Sequence, residues 1–129
     1  GDACLIHVTN VFQKHIHRHT DDLCRIGGEE FPIILPNTDL EGAFHVAENM
    51  RDSLASTPLD YEGETIKLTA SAGVSTTIII DEEHAQNLFK FADECLYEAK
   101  AAGRNTVIHK HLQEKLRHLH LSLKEECAD

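Results

Sequence analysis

The sequence is poor in basic side chains. Its 129 residues include 12 lysines and arginines against 22 aspartates and glutamates, which gives a formal net charge of −10. Proteins that bind nucleic-acid backbones or anionic membranes non-specifically need positive surface charge. The composition therefore argues against both partners, although a few basic groups focused in one place can still bind a nucleotide.

Two further absences narrow the class of protein. The chain has no run of 18 apolar residues and no signal-peptide pattern, so we expect this piece to be cytoplasmic even if a parent protein is membrane-anchored elsewhere. Its cysteines (Cys4, Cys24, Cys95 and Cys127) show no metal-ligand spacing, and we expect the first three to be buried, reduced thiols. The 41% apolar content is enough for the core of one domain.

A glycine pair separates two short apolar runs near the amino end. Residues 23–26 and 31–35 are rich in branched apolar side chains, and Gly27-Gly28 between them predicts a tight β-hairpin turn. Glu29-Glu30 follows the turn, and a carboxylate beside a bare glycine tip can hold a hard cation such as Mg²⁺. An ordinary charged hairpin is the alternative interpretation.

The pentapeptide 27–31, Gly-Gly-Glu-Glu-Phe, resembles the signature of the GGDEF family, the diguanylate cyclase domains, in its GGEEF form. Further segments resemble the family in the same order along the chain: Gly1-Asp2, Pro36-Asn37-Thr38, Glu48-x-x-Arg51, 69–74 and 92–105. On these motifs the chain is identified as a member of the family.

The resemblance implies an α/β fold of the α+β sandwich type, in which helices flank a central, mostly antiparallel sheet, as in nucleotide cyclases and polymerase palms. The family's domain would cover residues 1–108, and residues 109–129 would form a helical tail. Family domains begin with a strand that carries a metal-binding Asp, followed by a short helix. Neither precedes Gly1, so we expect a truncated domain that is inactive as given.

The function implied by the resemblance is that of a diguanylate cyclase, a nucleotidyltransferase of bacterial signal transduction. Two GTP molecules would condense to cyclic di-GMP and two pyrophosphates in a homodimer that uses Mg²⁺ or Mn²⁺. The resemblance implies that Glu29 is a metal ligand and that Glu30 assists with the metal or with deprotonation of the hydroxyl. Gly27 and Gly28 would leave room for the nucleotide, and Asp2 would recognise guanine. Lys100 and Arg104 would bind the phosphates.

Three of these residues also have simpler interpretations. Asp2 can be a helix cap and nothing more. Lys100 and Arg104 follow the apolar stripe of a predicted helix, where basic side chains complement the negative end of the helix dipole, a contribution of about 0.3–1 kcal/mol. This role and the phosphate role are compatible.

The tetrapeptide Arg18-x-x-Asp21 resembles the family's inhibitory site for cyclic di-GMP, because five residues separate Asp21 from Gly27. A guanidinium there can bind phosphate with two hydrogen bonds. The alternative is a surface ion pair that contributes at most about 1 kcal/mol. Asn49 stands where some members have a further arginine, so Arg51 is a candidate to replace it.

Two other functions remain open at this stage. One is a non-catalytic module that binds GTP or cyclic di-GMP and relays the signal. The other is a dimerisation scaffold, because tail leucines recur at the 4-3-4 spacing of a coiled-coil seam: Leu112, Leu116, Leu119 and Leu123.

Hydrophobic periodicity and cap residues predict the elements. We expect helices over 2–19, over 38–55 behind an Asn37 or Thr38 cap, over 82–102 between Asp81 and Gly103, and in the tail. We expect strands in the hairpin, over 66–74 with an extension through 76–80, and over 106–108.

Overall fold

The computed structural model of the chain describes residues 2–16, 22–23 and 30–112, with the backbone alone at 2, 22 and 23. The elements, in order, are α1 (Asp2–Gln13), β1 (Asp22–Leu23), β2 (Ile33–Ile34), α2 (Leu40–Ser56), β3 (Leu59–Tyr61), β4 (Glu64–Ile66), β5 (Ala72–Thr76), α3 (Glu82–Ala101) and β6 (Val107–His111). Within these residues the strands pair as β1–β2 and β3–β4, both antiparallel, and as β5–β6, which is parallel. The predicted α+β class is confirmed.

The first helix is shorter than predicted. It ends at Gln13 rather than at residue 19, because the next three amides bond three residues back instead of four: Lys14 to Val11, His15 to Phe12 and Ile16 to Gln13. The hairpin is confirmed at its base, where Asp22 pairs with Ile34 and Leu23 with Ile33. The tip at 24–29 lies outside the described residues.

The cap predicted for α2 is wrong by one or two residues. Asp39 is the cap, and its carboxylate accepts a hydrogen bond from the Gly42 amide at 2.7 Å. Asn37 lies in the preceding turn with a φ of 55°, and the Thr38 hydroxyl donates to the Pro36 carbonyl at 3.1 Å. Asp39 combines an extended backbone with a side chain that reaches the first turn.

The prediction for α3 is confirmed at both ends. Asp81 accepts a hydrogen bond from the His84 amide at 2.9 Å, and the helix ends at Ala101, followed by Gly103 with a φ of 113°. Cys95 is buried as predicted, whereas Cys4, predicted to be buried, is half-buried, and Cys24 lies outside the described residues.

The strand predicted over 66–74 with its extension to residue 80 is wrong. The segment divides into β4 and β5, and residues 67–71 belong to neither. The ladder between β5 and β6 ends where Thr76 pairs with His111. Beyond it Ile78 and Ile80 are 79% and 78% exposed, so their β-propensity meets no partner strand in the part of the chain that the structure describes.

The last strand is longer than predicted. Residues 109–111, expected to begin the helical tail, continue β6, and Leu112 is buried against Phe91 and Cys95 of α3. The side chains of His109 and His111 are exposed. The division of the chain at residue 108 stays a prediction, because residues 113–129 lie outside the described range.

In the part of the chain that the structure describes, most buried side chains of the core fall into two clusters. Val11, Phe12, Met50 and Leu54 make the first, between α1 and α2, and Phe31 and Ile33 of the hairpin pack against it. The second lies between α3 and the end of β6. Because α2 contacts α1 on one side and β5 and β6 on the other, it joins the two halves of the molecule.

Candidate nucleotide site

Two cations lie at the carboxyl end of α3. Lys100 is in the last helical turn, Arg104 is four residues further on, and both side chains are exposed. Gly103, Arg104 and Asn105 have φ values of 113°, 64° and 49°. Left-handed backbone is uncommon for residues other than glycine, and two such residues in succession mark a specifically held turn. We call residues 103–105 the left-handed turn.

Backbone hydrogen bonds fix this turn to α3 and to β5. The Arg104 amide donates to the Ala99 carbonyl at 3.1 Å, which returns the chain to the end of the helix. The Asn105 amide donates to the Ser71 hydroxyl at 3.1 Å, and the Ala72 amide donates to the Thr106 carbonyl at 3.0 Å. The turn therefore begins the ladder between β5 and β6.

Arg51 of α2 is bound to the same turn. Its Nη1 donates to Asn105 Oδ1 at 2.9 Å, while Nε and Nη2 donate to the two carboxylate oxygens of Glu48 at 3.0 and 2.5 Å. The hydrogen bonds between Arg51 and Glu48 hold the pKa of Glu48 below its ordinary value and the pKa of Arg51 above its own. All three nitrogens of the guanidinium thus have partners on α2 and in the left-handed turn. Because Arg18 and Asp21 lie outside the described residues, the candidacy of Arg51 to replace the arginine absent at Asn49 stays a prediction.

The hairpin half of the predicted site is anchored by an aromatic contact. The ring of Phe31 meets that of Phe12 edge-on, with centroids 5.8 Å apart and an interplanar angle of 84°. Glu30, directly before Phe31, is exposed. Its carboxylate oxygens are the donor type that Mg²⁺ prefers, although no group of three or more metal-binding side chains occurs among the described residues.

The remaining predicted site residues are described only in part or not at all. Asp2 is the first residue of α1, and its side chain lies outside the description. Five other predicted site residues lie wholly outside the description, backbone and side chain alike: Arg18, Asp21, Gly27, Gly28 and Glu29. The structure therefore places Lys100 and Arg104 at one helix end and Glu30 directly after the undescribed tip of the hairpin.

Sequence reasoning missed the contact between Arg51 and Asn105. The two residues are 54 positions apart, and no local pattern connects them. The signal present in the sequence was their occurrence within two family motifs, which suggested that both mattered without showing that they meet.

Comparison with known proteins identifies the family. The family model described as diguanylate cyclase, GGDEF domain, matches residues 1–106. The chain belongs to the GGDEF family. Among curated GGDEF proteins it is 40% identical over 107 residues to diguanylate cyclase A of Treponema denticola, covering 83% of this chain and 28% of that protein. It is 42% identical over 106 residues to a diguanylate cyclase of Vibrio cholerae, covering 81% and 32%.

Solved GGDEF domains have the same fold. The active GGEEF domain of a diguanylate cyclase from Vibrio cholerae superposes with a TM-score of 0.71 at 39% identity, covering 84% of this chain and 67% of that one. The GGDEF domain of DgcB from Caulobacter crescentus, in complex with c-di-GMP, gives 0.71 at 26% identity, covering 80% and 60%. The chain spans less than a third of these curated relatives' length.

None of the helices within the described ranges has the length and apolar composition needed to cross a bilayer.

Proposed function

We propose that the chain provides the catalytic domain of a diguanylate cyclase, in which two GTP molecules give one cyclic di-GMP and two pyrophosphates. In each half-reaction the 3′-hydroxyl of one GTP attacks the α-phosphate of the other, and pyrophosphate leaves. Family membership supports the reaction class. The observation that carries the proposal for this chain is the pair of exposed cations, Lys100 and Arg104, at the end of α3.

The two cations suit a triphosphate for a physical reason. Phosphoryl and nucleotidyl transfer depend on positioning and on fixed positive groups that meet the developing charge. In the left-handed turn, the hydrogen bond from the Arg104 amide to the Ala99 carbonyl fixes the backbone of Arg104. Its side chain therefore extends from a fixed position at the same helix end as Lys100. Both side chains remain exposed to a ligand.

The hairpin supplies the acidic part of the proposed site. Glu29 and Glu30 would hold Mg²⁺ or Mn²⁺, which when bound activates the hydroxyl and neutralises phosphate charge. Gly27 and Gly28 would leave space for the nucleotide, and Asp2 would accept hydrogen bonds from the guanine edge. Packing of Phe31 on Phe12 holds the hairpin against α1 at the segment just before β2.

We further propose that catalysis needs two copies of the domain. Each copy holds one GTP, so the two active sites must face each other before the 3′-hydroxyl of one can reach the α-phosphate of the other. Product would return to Arg18 and Asp21 and inhibit the enzyme. Binding of this product has a precedent in the Caulobacter crescentus neighbour solved in complex with c-di-GMP.

The test of the reaction is chromatographic detection of cyclic di-GMP from GTP and Mg²⁺. The 129-residue chain is assayed beside a version extended upstream by the family's strand and short helix. Glu29→Ala in the active version should lower turnover by more than about 100-fold, because a ligand to the charge-stabilising metal is lost. Glu62→Ala, at the exposed turn between β3 and β4, is the matched control and should not change the rate.

The outcomes separate the functions. Product from the extended version alone would establish the cyclase and the expected inactivity of the 129 residues, and product from both would establish the cyclase and contradict that expectation. Product from neither would refute catalysis and favour the module that only binds nucleotide. Full turnover by Glu29→Ala would remove that residue from the site.

Product inhibition has its own test. Arg18→Ala should raise the concentration of cyclic di-GMP needed for half-inhibition by about tenfold or more, because a charge-assisted phosphate contact is lost. The uninhibited rate should stay the same. If Arg18→Ala were half-inhibited at the same cyclic di-GMP concentration as the wild type, Arg18 would have no role in inhibition and would be a residue of a surface ion pair instead.

A further inference from the structure

The side chain of Arg51 connects the two halves of the molecule at the proposed phosphate site. It belongs to α2, whose Met50 and Leu54 lie in the core cluster that carries the hairpin. Its guanidinium crosses to Asn105, in the left-handed turn that follows α3. The side chain is only 18% exposed, and Glu48 holds it from the other side with two hydrogen bonds.

We propose that Arg51 is a positioning residue for Arg104, acting through Asn105 with Glu48 as its support. This inference rests on the proposed function, because it assumes that Arg104 binds the phosphates of GTP. Arg51 itself does not touch the nucleotide. It holds the left-handed turn in one place, and thereby keeps the guanidinium of Arg104 beside Lys100.

The backbone of the turn explains why such support is needed. Left-handed φ at Arg104 and Asn105 costs about 1 kcal/mol or more for each residue, so the turn persists only if its surroundings hold it. The Asn105 amide has one bond, to Ser71, and the Asn105 side chain has the bond to Arg51. Removing the latter leaves a strained segment held on one side only.

Glu48 fixes the orientation of the Arg51 guanidinium. A lone arginine can adopt many rotamers, and fixing one of them costs conformational entropy. Two parallel hydrogen bonds to one carboxylate fix the plane of the guanidinium, which then presents Nη1 to Asn105 in a single orientation. Lysine cannot reproduce this arrangement, because its ammonium is a point charge without the planar fork.

A double-mutant cycle tests the inference. GTP affinity is measured by titration calorimetry with Mg²⁺ for the wild-type chain, Arg51→Met, Arg104→Ala and the double variant. Arg51→Met should weaken binding by about tenfold, in the range of coupling between contacting residues. In the Arg104→Ala background the same change should have no effect, because the residue that Arg51 positions is gone.

Three further variants separate positioning from general effects. Lys90→Met removes a positive charge from an exposed position of α3 and should leave affinity unchanged. Arg51→Lys keeps the charge and should still lose most of the affinity. Asn105→Gly leaves the pair of Arg51 and Glu48 intact and accepts left-handed backbone, yet should weaken binding like Arg51→Met.

A measurement without nucleotide adds an independent check. Amide hydrogen exchange at Asn105 should be faster in Arg51→Met by about tenfold, since the bond to Ser71 opens more often once the support is lost. Exchange in the middle of α2 should not change, which also shows that the variant is folded. Unchanged exchange at Asn105 would overturn the inference whatever the affinity.

The affinities distinguish the two possible failures. If Arg104→Ala weakens GTP binding but Arg51→Met does not, or if the two effects simply add, the positioning role is refuted and the phosphate role of Arg104 stands. If Arg104→Ala binds GTP like the wild type, or the wild type binds none, the proposed phosphate site fails and the positioning role fails with it.

Discussion

Glu48 and Arg51 are three residues apart on α2 and form a partly exposed ion pair. The pair lowers the pKa of Glu48 from its ordinary value of 4.5, chiefly through the hydrogen bonds from Arg51. A carboxyl group with a lowered pKa in the folded state stabilises the fold above its unfolded pKa. That stabilisation is lost as the pH falls through the folded pKa.

The direction of this pKa shift predicts how the stability of Glu48→Gln should depend on pH. At neutral pH the variant should be less stable than the wild type by at most about 1 kcal/mol, because the pair is accessible to solvent. As the pH falls below 4.5 the difference should disappear. Urea unfolding at several pH values measures it, with Glu64→Gln on the exposed strand β4 as control. A difference that grows in acid would contradict the assignment.

At the level of the elements, β5 and α3 pack with their backbones close together. A Cβ atom built on Gly73 of β5 would lie 2.1 Å from the Ala92 carbonyl oxygen and 2.2 Å from the Leu96 amide nitrogen. These are backbone atoms, so they cannot rotate away as a side chain would. The absence of a side chain at residue 73 is therefore what lets the helix rest on this strand, and the end of that helix carries Lys100.

Gly73→Ala should consequently destabilise the protein by about 3 kcal/mol, the upper part of the range for overpacked interiors. Gly63→Ala is the matched control, because its Cβ would meet nothing within 4 Å and only the φ of 79° is unfavourable. We expect the control to cost about 1 kcal/mol. Thermal unfolding of both variants separates steric from conformational cost, and equal losses would contradict the close packing described above.

Cap residues show which element boundaries a sequence can predict. Asp81 and Gly103 bound α3 as expected, because each is the one suitable residue at its end of the apolar stripe. Before α2, residues 37–39 are all good caps, and only the backbone conformation of the folded turn selects Asp39. Local chemistry thus determines a boundary when one candidate is present and leaves it open when there are three.

At the scale of the whole molecule, α2 unites two core clusters that are separate in the sequence. Leu54, 1% exposed, belongs to the cluster with α1, while Cys95, also 1% exposed, belongs to the cluster with β6. The family motifs predicted the membership of the chain and the residues of its candidate site. They could not predict the hydrogen bond from Arg51 to Asn105, since it depends on how two distant elements pack.

Long-range pairing also explains the errors in the strands. The β-propensity of residues 76–80 predicts an extended strand, but a ladder needs a neighbour as well as a propensity. The described partner of β5 is β6, and their pairing ends at Thr76. Conversely, β6 runs past residue 108 because β5 offers it partners as far as His111.

The three isoleucines beyond Thr76 have a consequence for the behaviour of the protein in concentrated solution. Ile78, Ile79 and Ile80 are consecutive, uncharged, strongly β-prone and more than half exposed. Such a segment can pair with its equivalent in another molecule and begin aggregation. Asp81 and Glu82 follow directly and act as charged gatekeepers, so their negative charges oppose self-association at this segment.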